Sequence, residues 1–248
     1  MTGPAATSAG STAVGAAAED EGHGWLRRST ARSALAWMLG GAGLLAYNWW
    51  LLVPLKPGLM RSPNELFSNL EVTGQPYATA MQHADLASGV LLAAAFLTAG
   101  RPATRIGRRE WLAMLVFAVA GAVSGVFPEV CADSINAVCH RMEWSLQLPA
   151  SQYVHMAAGV LEFAGITIAL ACAVIRTRHD HSRFATVYRR LAKAAVVAYP
   201  LLGAAYLGNR LGGVMEAVFF VGFTVMVVTQ LAERTSSSQT EPPPGQVT

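Results

Sequence analysis

Long apolar blocks separated by short, arginine-rich connectors restrict this chain's fold more than any other feature. Six blocks are visible, at about 34–54, 82–100, 111–128, 152–175, 191–208 and 212–232. A helix rises ~1.5 Å per residue, so ~20 apolar residues cover the ~30 Å hydrocarbon core of a bilayer. Most of the blocks have that length. Of the 248 residues, 53% are hydrophobic and only 13% charged, about half the charge of a typical soluble domain. The fold expected is all-α: a six-helix transmembrane bundle whose partner is the lipid bilayer. The fifth block is the most irregular, with Lys193 near its start and Pro200 near its middle, where a kink is expected.

Orientation follows from the basic residues. If the N-terminus lies in the cytoplasm, 14 of the 18 Lys and Arg fall on the cytoplasmic side. Only Lys56, Arg61, Arg141 and Arg210 fall outside. That asymmetry predicts a multi-pass plasma-membrane protein with both termini cytoplasmic. The net charge of +3 follows this topology rather than one face, so no nucleic-acid partner is implied. The domain expected is 27–232. It is flanked by a disordered cytoplasmic N-terminal tail, 1–26, and a disordered cytoplasmic C-terminal tail, 233–248. Both tails are too poor in apolar residues to offset chain entropy. Tyr47, Trp49, Trp50, Tyr153 and Trp111 lie near span ends and fit interfacial belts.

Two outer connectors, 55–81 and 129–151, are long, and long loops more often carry function. In the first, Ser62-Pro63-Asn64-Glu65 reads as a capping box opening a short helix through about Leu70. The second is expected to hold a helix starting near Asp133 or Ser134, with Ile135, Val138 and Met142 as its apolar stripe. Cys131 and Cys139 lie in this loop and can form a disulfide in an oxidising compartment. Two free thiols, or a metal site with His140, are the rival readings. Cys172 reads as a buried small apolar residue.

Acids inside apolar blocks point to where function lies. Asp85, Glu162 and Glu216 each fall within a span. A carboxylate at bilayer depth costs at least ~2.5–3.5 kcal/mol, so such groups face a bundle interior and mark a site. His155, Gly159 and Glu162 lie on one helical stripe, with Gln152 one turn earlier. Glu162 lies about 10 Å along the axis from His155 and needs another partner, a water or a proton. Asp85 with Ser88 and Gly89 makes the inward face of the second span, and His83 falls at the interface. Asn48 is the one strongly polar residue in the outer half of the first span. The candidate ligand or proton site is therefore Asp85, His155, Glu162, Glu216, Asn48 and Gln152. It would form an outward vestibule beneath the two long loops. Small-residue pairs, Gly121 with Gly125, Ala204 with Gly208, and Gly40-Gly41 near Gly43, permit close helix contact.

Several short motifs carry a family resemblance. They are Asn64-Glu65-Leu66, Gly74-Gln75-Pro76-Tyr77, Ala84-Asp85-Leu86 with Gly89, Val126-Phe127-Pro128, Cys131-Ala132-Asp133-Ser134 with Cys139, and His155 with Gly159. Together they resemble the bacterial six-span membrane proteins of the domain of unknown function 998 family, over roughly 34–232. The resemblance implies a polytopic helical bundle of unassigned activity, with Asp85 and His155 in a shared core site.

No motif identifies a reaction, and no cofactor is implied. The functional expectation is an integral membrane protein that binds or moves a small polar or lipid ligand. One alternative is a metal-dependent membrane hydrolase acting at the outer leaflet through His83, His140 or His155. Another is a non-catalytic envelope assembly or structural protein.

Overall fold

A computed structural model describes residues 12–56, 58–60, 64–132, 136–207 and 211–237. For 12–29, 205–207 and 237 it describes the backbone alone. The described residues contain no strand. They form α1 (Thr12–Tyr47), a 3-10 segment (Trp49–Leu55), a second 3-10 turn (Ser68–Glu71), α2 (Ala78–Ala99), α3 (Arg105–Val126), α4 (Ala137–Trp144), α5 (Ala150–Arg176), α6 (Arg183–Leu207) and α7 (Gly212–Ser237).

Four of these helices are long and apolar enough to cross a membrane: α2, α3, α5 and α7. The bent pair Thr30–Tyr47 and Trp49–Leu55, meeting at 40°, makes a fifth candidate. The block at 191–208 falls in α6, which does not meet the same standard. Arg183, Arg189, Arg190 and Lys193 occupy its first half. The apolar remainder, about 14 residues, spans only about 21 Å.

α3 packs between α2 and α5, and α1 lies against α2. α7 touches α1, α2, α5 and α6. Close approach depends on missing side chains. A Cβ at Gly165 would stand 2.8 Å from both Ala113 O and Phe117 N, where α5 crosses α3. One at Gly125 would stand 2.5 Å from Gln82 O, where α3 crosses α2, and Gly89 meets α3 backbone in the same way. Gly40 and Gly43 also abut neighbours, at Leu231 and Leu92, whereas Gly41 faces open space. Gly208 lies outside the described residues. The core between helices holds Leu92, Phe96, Met114, Phe117, Tyr188, Met226 and Leu231. The outward faces are apolar as well, with Leu45 81% and Val160 68% exposed. Lipid is the solvent that suits such a surface.

α1 begins at Thr12, where Ala13 and Ala16–Ala18 are strong helix formers. α7 continues to Ser237 and includes Glu233 and Arg234. Several local expectations are corrected. In the first long loop, Asn64 to Phe67 are not α-helical and the turn begins at Ser68. Ser62 and Pro63 lie outside the described residues. There Asn64 Oδ1 instead accepts the Leu211 N–H at 2.7 Å, tying the loop to the start of α7.

In the second loop, Asn136 caps α4 by accepting from Val138 N and Cys139 N. α4 buries Cys139 and Glu143, while Val138 is exposed. The expected apolar stripe is therefore not the buried face, and Asp133 to Ile135 lie outside the described residues. Cys131 and Cys139 are disulfide-bonded, with Cα atoms 5.6 Å apart. Cys172 is a free thiol and only partly buried.

A candidate cation-binding cavity

Three helices each turn an i, i+4, i+7 stripe toward one hollow. α2 supplies Asp85, Gly89 and Leu92, α3 supplies Phe117, Gly121 and Ser124, and α5 supplies His155, Gly159 and Glu162. This is the repeat of a single helical face. Ser88 joins from α2, Glu216 and Phe220 from α7, and Tyr47 from the end of α1. Trp49, Ser68 and Glu71 come from the two 3-10 segments. The hollow has a volume of about 130 Å³. At ~30 Å³ per water molecule, it has room for about four waters or the polar end of a larger molecule.

Each acid has a distinct setting. Asp85 Oδ1 accepts the Trp49 indole N–H at 2.8 Å, and its carboxyl neighbours that of Glu71. Glu71 is 4% exposed. Burial first, and then the neighbouring Asp85, raise the Glu71 carboxyl well above its ordinary value. Gln82 Nε2 also donates to Glu71 O at 2.6 Å, which fixes the turn against α2.

Glu162 Oε1 accepts from Ser124 Oγ at 3.2 Å. It faces Gly121, where an added Cβ would come within 3.7 Å of its carboxyl. Glu216 Oε2 accepts the Phe67 N–H and also bonds Ser68. It thereby holds the start of the second 3-10 turn, as an anion does at a helix N-terminus.

His155 Nδ1 lies 3.2 Å from Ser124 O and 3.0 Å from Phe127 O. Carbonyls only accept, so Nδ1 carries the proton and Nε2 is left as an acceptor. The Tyr47 hydroxyl, in a residue only 8% exposed, lines the hollow and has no hydrogen-bond partner among the described residues. A buried orphan hydroxyl costs about 1–3 kcal/mol unless something binds it.

Asp85, His155, Glu162 and Glu216 thus line one cavity. Asn48 and Gln152 do not. Asn48 Nδ2 donates to Leu44 O at 2.8 Å and Thr224 Oγ1 at 3.0 Å, and its Oδ1 accepts from Trp50 Nε1 at 3.1 Å. It staples the bend after α1 to α7. Gln152, fully buried, accepts from Val130 N at 2.9 Å and donates to Glu143 Oε2 at 3.2 Å. It braces the second long loop. A bond from Thr73 N to Glu129 O, 3.0 Å, joins the two loops near the cavity.

Sequence reasoning missed Glu71, Ser124 and the roles of Tyr47 and Trp49. Tyr47 and Trp50 are buried among protein side chains, because the bend after Tyr47 turns them inward against Phe220. The signal for Glu71 was its setting. It is a lone acid between Leu70 and Val72, both themselves buried.

A second polar cluster, also missed, lies at the opposite ends of α3 and α5. Arg176 makes paired bonds to Glu110, at 2.7 and 3.0 Å, and to Glu233, at 2.5 and 2.7 Å. Tyr188 donates to Glu233 at 2.7 Å, and Gln230 donates to Glu110. Every partner is satisfied, so this cluster ties four helices together. His140 stands edge-on to Trp144, and His83 is exposed. Among the described residues, no group of three or more His, Cys, Asp or Glu is arranged to hold a metal ion.

A family model described as "Protein of unknown function (DUF998)" matches residues 39–232. The chain belongs to this family. All of the cavity residues fall inside the matched region. No curated protein and no solved structure matches the chain.

Proposed function

We propose that this DUF998 member is a six-span plasma-membrane protein, with residues 27–232 in the membrane domain and both termini cytoplasmic. In this reading it binds or moves a small, positively charged polar ligand through the acid-lined cavity, which opens away from the cytoplasm. The α6 segment serves as the short fifth span. The distribution of Lys and Arg supports the orientation.

The observation that carries the reading is the convergence of Glu71, Asp85, Glu162 and Glu216 on one hollow with a single basic group, His155. Such a lining attracts cations and repels anions. Tyr47, Trp49, Phe117 and Phe220 add aromatic surface, which also suits a cation. The Tyr47 hydroxyl supplies an unused polar contact. A cation entering beside the Glu71–Asp85 pair favours the doubly ionised form and expels the proton between them, so binding is linked to proton release.

The test is calorimetric titration of the full chain in lipid nanodiscs with ethylammonium and, separately, with acetate, in buffers of different ionisation enthalpy. Ethylammonium should bind with proton release, acetate should not bind, and Glu162→Gln should weaken ethylammonium by tenfold or more. Equal binding of both ions, or of neither, contradicts the reading.

A further inference from the structure

A second hollow adjoins the first and differs from it in character. It is an open groove of about 440 Å³, lined mainly by Phe163, Tyr199, Leu202, Met215 and Phe219 between α5, α6 and α7. Glu216 lines both hollows. The groove's wall is aromatic. Phe163 and Phe219 have ring centroids 4.1 Å apart, and Tyr199 stands 5.4 Å from each. The Tyr199 hydroxyl is engaged with Thr167 Oγ1 at 2.7 Å. At Gly203, an added Cβ would meet nothing within 4 Å. The groove's volume falls in the range of sites that take an organic ligand, whereas the acidic hollow alone is smaller than that range.

We infer that the two hollows form one site for a membrane-resident amphiphile, its amine headgroup among the acids and its hydrocarbon chain in the α5–α6–α7 groove. The inference rests on the cation reading above and extends it to a substrate class. Charge complementarity selects the headgroup, because the polar hollow is acidic and shares Glu216 with the groove. The apolar lining of the groove selects the chain. Neither hollow alone accounts for both a buried acid cluster and a neighbouring apolar groove.

The test is a homologous series of primary n-alkylammonium ions, ethyl to dodecyl, titrated into the full chain in nanodiscs with empty-disc subtraction. In wild type, affinity should rise about threefold to fourfold per methylene, the gain expected for burying each one, until the groove is filled. Gly203→Trp, which points a large ring into open space, should keep ethylammonium affinity within twofold and lose the gain with chain length. Ethylammonium binding with the same chain-length dependence in both proteins overturns the inference and leaves the cation reading standing. Absence of ethylammonium binding overturns both. If Gly203→Trp fails to fold, a dodecylammonium carrying a terminal diazirine gives the answer on wild type. Labelling of peptides containing Tyr199 or Phe219 supports the inference, and labelling confined to other segments refutes it.

Discussion

The buried carboxyl groups of Glu71 and Asp85 stand against each other, an arrangement that favours a shared proton over two charges. With both ionised, Glu71 Oε2 would be buried without a partner. With one protonated, the pair is satisfied, and the Trp49 indole bonds the Asp85 side. The loop turn Ser68–Glu71 is therefore latched to α2 by a proton.

This latch gives stability a pH dependence whose sign is fixed. Glu71 is raised above its ordinary value of 4.5, so the folded state holds a proton that the unfolded chain has released. Its contribution is fully present below pH 4.5 and is lost as pH rises through the folded value. Each unit of displacement is worth about 1.4 kcal/mol at high pH. Thermal unfolding in detergent should show the melting temperature falling as pH rises above 4.5. Glu71→Gln, which can donate an amide hydrogen to Asp85 without titrating, should flatten that slope. An unchanged slope in the variant would remove Glu71 from the account.

Two glycines on one helix should respond in opposite ways. Gly165→Ala forces a methyl against α3 backbone atoms at 2.8 Å. Backbone cannot yield as a side chain tip can, so about 1–3 kcal/mol should be lost. Gly159→Ala meets nothing within 4 Å and should be neutral or slightly stabilising, since alanine is the better helix former. Melting temperatures of the two variants, measured side by side, check this. Equal destabilisation would mean that the α3–α5 crossing is misplaced.

The opposite end of the bundle depends on Arg176. Arg176→Met leaves Glu110, which is fully buried, and Glu233 without the guanidinium that bonds both, with Arg234 the cation that remains near them. Removing one partner of a buried pair costs about 3–5 kcal/mol, so apparent stability should drop steeply. Adding Glu110→Gln to Arg176→Met should recover part of the loss. No recovery in the double variant would show that the arginine acts through its packing alone.

The bundle and half of the cavity were legible because their signals are local. Apolar block length gave the helices, and the i, i+4, i+7 stripe through His155, Gly159 and Glu162 gave the α5 face. Asp85 with Ser88 and Gly89 gave the α2 face. Asn48 and Gln152 read as site residues on the same grounds, since depth and polarity are all that sequence offers there. Their hydrogen bonds go instead to Thr224 and Glu143, partners set by tertiary packing. Glu71 was hidden for the same reason. It lies in a loop, where no helical period marks an inward face, and only the fold brings it to Asp85. Glu110 and Glu233 sit at helix ends, where acids are commonly solvated, and their burial around Arg176 needs three helices to converge. The bend after Tyr47 likewise turned apparent interface aromatics into cavity wall.

The central claim is that the apolar surfaces face lipid while the acids share one wetted hollow open away from the cytoplasm. Cysteine accessibility in intact cells tests it most directly, using Gly159→Cys and Val160→Cys in a Cys172→Ala background. A membrane-impermeant, cationic thiol reagent added outside should modify Gly159→Cys, and should do so faster than an anionic reagent of the same size. Val160→Cys, on the outward face of the same helix, should stay unreactive. A protected Gly159→Cys, or equal reaction at both positions, would contradict the account.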